Sequence, residues 1–227
     1  EAGIAVQSLA CLLASDTQMA EASLHAAALE LGVPLRFASV SQDADIVINV
    51  AEQPRDLAQV GRVRGRLAVI GLGPGAAELM VPAVKAELAR CTDVLGYETY
   101  VRMAGPFRDD QVQHCTDNRE EMQRARHAFE LAAQGRSVVV VSSGDPGVFA
   151  MAAAVIEALH ESSDPAWHQV DLEILPGVSA SLATAAQAGA PLPAPPAHAT
   201  PHAPAPAARP PSSVDTARLP RATLPPT

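Results

Sequence analysis

Hydrophobic positions cluster in short runs, each ending at glycine or proline and most followed by a stretch of helical periodicity. Val6–Ala14 is mostly apolar, and Ser15-Asp16 then offers an N-cap for a helix running to about Leu31, with Gly32 as its C-cap. Val33–Ala38 predicts a second strand and Ala44–Val50 a third. That β-α-β-β set is too small for a closed core, so residues 1–55 are expected to be part of a small α/β domain. Glu52–Gly65 holds Pro54, Gly61, Gly65 and three arginines. This polar, turn-rich composition predicts a junction, with residues 56–65 as the linker.

The next apolar run, Leu67–Ile70, has no polar alternation, as expected of a buried parallel strand. It breaks into Gly71-Leu-Gly-Pro-Gly75, where missing side chains let a ligand approach the backbone and Pro74 stiffens the loop. Pro82 then fits a first helical turn, and Ala83, Val84, Leu88 and Cys91 follow at helical spacing. Val94–Tyr97 predicts a strand, Arg102–Asp117 an irregular stretch, and Asn118–Gln134 a helix. That helix carries Met122, Ala125, Phe129 and Ala132 on one face and is closed by Gly135. Ser137–Ser142, with four consecutive valines, is expected to be a central strand. It ends in Ser143-Gly-Asp-Pro-Gly147, where Asp145 fits an N-cap and Pro146 the first turn of a helix over Val148–Leu159. Val170–Leu175 alternates as a further strand, stops at Pro176-Gly177, and leads into an alanine-rich helix to about Ala188. Three strand-loop-helix units imply an α/β domain over 66–190 with a parallel sheet and a ligand site at its carboxyl edge.

Composition changes this picture mainly at the end of the chain. Of 20 prolines, 12 fall in residues 191–227, where Pro, Ala, Ser and Thr replace any apolar periodicity. Such a segment is expected to be a disordered tail. Its abrupt onset suggests a change of reading frame in a GC-rich gene; absence of globular sequence in the neighbouring frames would refute that hypothesis. Residue 1 is Glu, and the chain is expected to be cut from something longer.

A net charge of −9 without a basic run argues against nucleic acid or anionic membrane as the main partner. No apolar run reaches the roughly 20 residues that span a bilayer. Cys11, Cys91 and Cys115 form no C-x-x-C pair and read as reduced thiols in cytoplasm. His114 beside Cys115 has no second pair at ligand spacing, so no metal site is expected. Arg119, Arg124 and Arg126 read as a solvated helix face, although they could also meet an acidic ligand.

Taken together, Gly71-Leu-Gly-Pro-Gly75, Gly96-Tyr-Glu-Thr-Tyr100, Ser143-Gly-Asp-Pro-Gly147 and Leu175-Pro-Gly-Val-Ser-Ala180 resemble, in order and spacing, the amino-terminal domain of the tetrapyrrole methylases. The Gly-Tyr-x-x-Tyr stretch and the Arg119–Ala132 helix are most similar to the members that methylate a precorrin at C-17, with ring contraction, in cobalamin biosynthesis. Residues 1–50 more weakly resemble the end of a cobalamin-pathway domain sometimes fused ahead of this enzyme.

The resemblance implies S-adenosyl-L-methionine (SAM) as methyl donor and a precorrin as acceptor, and it implies a cytoplasmic homodimer for the complete enzyme. It implies a SAM site made of Gly71, Gly73, Pro74, Gly75, Ser143, Gly144, Asp145, Pro146, Val148, Ser179 and Ala180. Tyr97 and Tyr100 would meet the substrate, and Glu98 would serve as a proton acceptor. Ala76 stands where many relatives have Asp. The carboxyl-terminal domain that completes both sites is expected to be absent, replaced by the proline tail, so little methyl transfer is expected from the chain alone.

Two other readings stay open. Gly71-x-Gly73-x-x-Ala76, with Glu98 further on, fits a looser dinucleotide fingerprint and hence a nicotinamide-dependent oxidoreductase, although Pro74 counts against it. Asp145 also reads as a plain helix cap, Tyr97 and Tyr100 as sheet-edge aromatics, and the product as a non-catalytic fragment.

Overall fold

The structure is a computed structural model that describes residues 5, 8–39, 50, 51, 53, 55–117 and 119–190. The predicted strand over Ala44–Val50 falls, apart from Val50, outside the described residues. The tail over 191–227, and with it the expectation of a missing second domain, lies wholly outside them.

Near the amino terminus, β1 (Leu12–Ser15) pairs in parallel with β2 (Leu35–Ala38), joined through helix α1 (Ala22–Leu31). The predicted helix start is displaced. Ser15 caps a single 3-10 turn, Asp16–Gln18, and α1 begins only at Ala22. Gly32 ends α1 in the left-handed conformation at φ 65°, as its lack of a Cβ allows. Phe37 is buried and forms an isolated bridge to Arg62. Around that bridge, arginine side chains donate to backbone carbonyls: Arg36 to Val60, Arg62 to Ala133 and Arg64 to Gln169. Residues 60–64 are therefore fastened both to the small sheet and to the domain that follows.

That domain runs β3 (Arg66–Gly71), α2 (Pro82–Arg90), β4 (Asp93–Tyr97), α3 (Glu98–Ala104), β5 (Val112–Thr116), α4 (Glu121–Ala133), β6 (Ser137–Ser142), α5 (Met151–Glu161), α6 (Pro165–His168), β7 (Asp171–Leu175) and α7 (Ala180–Gln187). The five strands are all parallel in the order β5-β4-β6-β3-β7. The two runs without polar alternation occupy the middle of the sheet. Leu67–Ile70 and Val138–Val141 are buried throughout, because helices cover both faces. Leu67, Val69, Val138 and Val140 pack with Ala125, Phe129 and Val155 of α4 and α5, and Trp167 stacks on Phe129 at 5.0 Å. Ala68, Ile70, Val139 and Val141 pack with Val84 and Val101 of α2 and α3.

Two elements correct the irregular reading of Arg102–Asp117. Helix α3 continues through Ala104, supported by Glu98 and Arg102 four residues apart and by Val101 and Ala104 on its buried side. Residues Val112–Thr116 form the edge strand β5. The chain steps across the sheet one way from β3 to β5 and back the other way from β5 to β7, so β6 lies between β4 and β3 with its connections on the opposite face. The connections after β3 and β4 pass over one face and those after β5 and β6 over the other, so the loops at the carboxyl ends of β3, β4 and β6 diverge there.

Candidate ligand site at the carboxyl edge

The loops after β3, β6 and β7 meet at that divergence, and backbone packing decides how. Gly73 and Gly144 exchange two hydrogen bonds, N–H to carbonyl at 3.1 and 2.8 Å, forming an isolated antiparallel bridge beyond the parallel sheet. Gly71 has no room for a side chain: a Cβ there would lie 2.3 Å from the Gly144 carbonyl oxygen and 3.0 Å from the Gly177 Cα. At Gly177 a Cβ would lie 2.2 Å from the same oxygen. Gly71, Gly144 and Gly177 thus form one contact of three loops, in which the Gly144 carbonyl fills the Cβ positions of Gly71 and Gly177 and Gly144 itself has a glycine conformation at φ 64°. The third glycine of the first loop, Gly75, differs: its φ of 112° is a glycine conformation, yet its nearest neighbour would be the Met103 methyl at 3.7 Å. Its surface is open.

Asp145 completes the joint. One carboxylate oxygen accepts from the Gly147 amide at 2.8 Å, and the other accepts from the Gly177 amide at 3.0 Å. This corrects its reading as the cap of a helix over Val148–Leu159. Helix α5 starts at Met151, whose amide donates to Ser142 Oγ at 3.4 Å, and residues 143–150 are loop. Within that loop Phe149 is fully exposed at φ 51°. Pro146 lies against the Gly71 position, and Val148 is half exposed. Ser179 is buried, with its Oγ 2.8 Å from Ser181 Oγ, and it stands at the start of α7 without capping it through its side chain. A Cβ at Gly144 would lie 3.4 Å from the Ala180 amide nitrogen, so the amino terminus of α7 abuts the joint.

Tyr97 and Tyr100 meet edge to face, 5.4 Å apart, where β4 passes into α3. Tyr100 also lines a cleft of about 200 Å³ with Glu121, Arg124, Ser142, Ser143, Val148 and Met151. Glu98, first residue of α3, is exposed and ion-paired with Arg102 at 2.7 Å. The solvated-face reading of α4 is corrected at Arg124, which is only 3% exposed; Arg126 is exposed and pairs with Glu161. No sequence signal singled out Arg124 from its neighbours except its helical spacing from the buried Ala128 and Leu131.

The glycine loop after β3 does not behave as a dinucleotide grip. It leads into a 3-10 turn, Ala77–Leu79, and a helix that starts only at Pro82, so no helical amides follow it directly, and the Gly73 amide is engaged by Gly144. The donor set fits SAM better. The loops 71–75, 143–147 and 176–180 carry no Lys or Arg to repel a sulfonium cation, and their one charged side chain is Asp145.

The fold and the joint define a parallel α/β domain whose glycine-rich loops converge at the carboxyl edge of the sheet. The family described as Tetrapyrrole (Corrin/Porphyrin) Methylases matches residues 66–218, and the chain belongs to this family. It is 48% identical over 128 residues to the Cobalamin biosynthesis protein CobIJ of Mycobacterium bovis, covering 56% of this chain and 24% of that protein. It is also 48% identical over 128 residues to a Precorrin-3B C(17)-methyltransferase of Sinorhizobium, covering 56% of this chain and 50% of that one. The crystal structure of the methyltransferase CobJ superposes with a TM-score of 0.53 at 55% identity, covering 56% of this chain and 52% of that one. The chain spans half or less of the length of these curated relatives.

Proposed function

We propose that residues 66–190 form the methyl-donor half of a SAM-dependent methyltransferase acting on a precorrin at C-17, with ring contraction, in cobalamin biosynthesis. The observation that carries this reading is the joint of Gly71, Gly144 and Gly177 tied by Asp145, in a chain 48% identical over 128 residues to a precorrin-3B C(17)-methyltransferase. The reading includes a precorrin acceptor, a homodimer for the complete enzyme and a cytoplasmic setting. It also treats residues 1–55 as the end of a fused cobalamin-pathway domain.

Bound SAM would supply an electrophilic methyl group. The work left to the protein is chiefly orientation, since methyl transfer needs the donor and a carbon nucleophile in line. Gly71, Gly73, Pro74 and Gly75 would give the donor a floor without side chains, and Pro74 would limit its movement. Ser143, Gly144, Asp145, Pro146 and Val148 would hold it from the β6 loop, and Ser179 and Ala180 from the start of α7. Tyr97 and Tyr100 would offer aromatic surface to the macrocycle. Glu98 would accept a proton from the substrate at the solvent-facing end of β4.

Titration of the full chain with S-adenosylhomocysteine and, separately, with NAD tests the reading. Saturable binding of S-adenosylhomocysteine alone is expected, weakened at least tenfold in Asp145→Ala. Binding of NAD alone would instead favour the oxidoreductase reading. Methyl transfer to a precorrin acceptor, followed by mass, tests the chemistry.

A further inference from the structure

Arg124 stands out as a buried charge with no carboxylate in direct ion-pair contact among the described residues. Its Nε donates to Thr116 Oγ1 at 2.7 Å and its Nη2 to the Asp117 carbonyl at 2.7 Å. Its Nη1 donates to the Met151 sulfur at 3.1 Å, a weak acceptor. A guanidinium has five N–H donors, so two remain uncommitted among the described residues. Among the described residues no carboxylate is paired with it, whereas Arg66 pairs with Glu87 and Asp171, and Arg136 pairs with Asp93. Burial pulls Arg124 below the ordinary guanidinium range, and Glu121, Glu120 and Asp117 oppose that effect by charge at a distance. Leaving a buried cation without a counter-ion is costly. If bracing of α4 against β5 and α5 were the whole role, a neutral side chain would avoid that cost.

The surroundings suggest what balances it. Arg124 lines the cleft at the end of β6 together with Tyr100, Ser143 and Glu121; the Glu121 carboxylate is not paired with the guanidinium, and neither the Tyr100 nor the Ser143 hydroxyl has a hydrogen-bond partner among the described residues. Three donors of this kind around one cleft suit a carboxylate, which a guanidinium can hold through two N–H groups at once.

We propose that Arg124 is a carboxylate receptor, with the Tyr100 and Ser143 hydroxyls, for an anionic group of the ligand seated at the carboxyl edge. This rests on the function proposed above, where two sources present that chemistry: the amino-acid end of the methyl donor and an acid side chain of the tetrapyrrole.

Two ligand pairs, titrated against the full chain, separate the sources. S-adenosylhomocysteine is compared with 5′-methylthioadenosine, which lacks the amino-acid carboxylate, and uroporphyrin is compared with its uncharged octa-amide. The wild-type chain is expected to prefer the acid at least tenfold in one pair. Arg124→Met should reduce that preference to less than twofold while leaving the uncharged partner's affinity unchanged. Loss in the first pair assigns the carboxylate to the donor, and loss in the second to the tetrapyrrole. Should Met at this position prevent folding, Arg124→Lys replaces the planar fork by a point charge and should lower the preference at least threefold. Preferences unchanged by the substitution that folds, or absent in the wild type, overturn the assignment while leaving the SAM reading intact. Failure of the wild type to bind either nucleoside overturns the reading beneath it.

Discussion

The Asp145 carboxylate accepts the Gly177 amide at 3.0 Å across 32 residues of sequence, fastening the loop after β6 to the loop after β7. Its other oxygen holds the Gly147 amide at 2.8 Å, so one side chain both shapes its own turn and fixes a neighbouring loop. Asp145→Ala removes both acceptors and is expected to cost about 1–3 kcal/mol of stability. Asp145→Asn keeps one acceptor oxygen and should fall between wild type and Ala. Denaturant unfolding of the three proteins checks that order, and titration with S-adenosylhomocysteine should reproduce it. Equal stability of the Asn and Ala variants would show that one retained acceptor oxygen contributes nothing and that the pair of bonds acts as a unit.

At Gly71 and Gly177 the obstacle is backbone, which cannot swing aside as a flexible side chain can. Ala at either position must push the Gly144 carbonyl away, and the expected destabilisation is about 1–3 kcal/mol, as for overpacked cores. Gly75→Ala tests a different limit. Its space is open, so its cost comes only from backbone conformation, and it should be smaller than that of either joint glycine. Thermal unfolding of the three variants gives the ranking directly.

The contrast between these positions shows why the fold was more legible than the site. Four valines in a row and the Leu67–Ile70 run announce strands covered on both faces, since only those escape polar alternation. Helix α4 was equally plain from its apolar face. Strand β5 was not, because Val112, His114 and Thr116 alternate at an edge where burial is slight and the signal weak. For Asp145 the local sequence is compatible with a helix cap, and the partner that decides otherwise, Gly177, lies too far along the chain for any periodicity to reveal. Arg124 was hidden for a related reason. It is one of three arginines within eight residues, and only the arrival of β5 and α5 buries it.

Asp93 gives the fold a pH dependence. It is fully buried at the start of β4, and burial alone would raise its pKa. Hydrogen bonds from His114, Thr92 and Arg136 outweigh burial and hold its carboxyl below the usual range. A folded pKa below the unfolded value of about 3.9 means that Asp93 stabilises the protein fully above that pH. The contribution is lost as pH falls through the folded value. Glu87, held down by Arg66 and Arg90 against its own burial, acts in the same direction. Unfolding measured between pH 6 and pH 2 should show stability falling at the acid end. Asp93→Asn should be less stable at pH 6 and show a shallower acid loss; an unchanged slope would exclude Asp93 as a source.

Cysteine chemistry should divide along the same line of burial. Cys91 is fully buried behind α2, and burial pushes its thiol up to about 11, only partly offset by the hydrogen bond from Gln111 and the charge of Arg108. The thiolate is the reactive form, so at pH 8 Cys91 is protonated as well as shielded. Cys115 is exposed on the edge strand β5, and Cys11 is partly exposed. A short pulse of iodoacetamide on the native chain, read by peptide mass, should label Cys115 first and Cys11 next. Cys91 should remain unlabelled until denaturant is added. Labelling of Cys91 in the native pulse at the rate of Cys115 would mean that α2 opens from the sheet on that timescale, and the packing of Val84 against Ala68 and Ile70 would have to be far looser than its burial indicates.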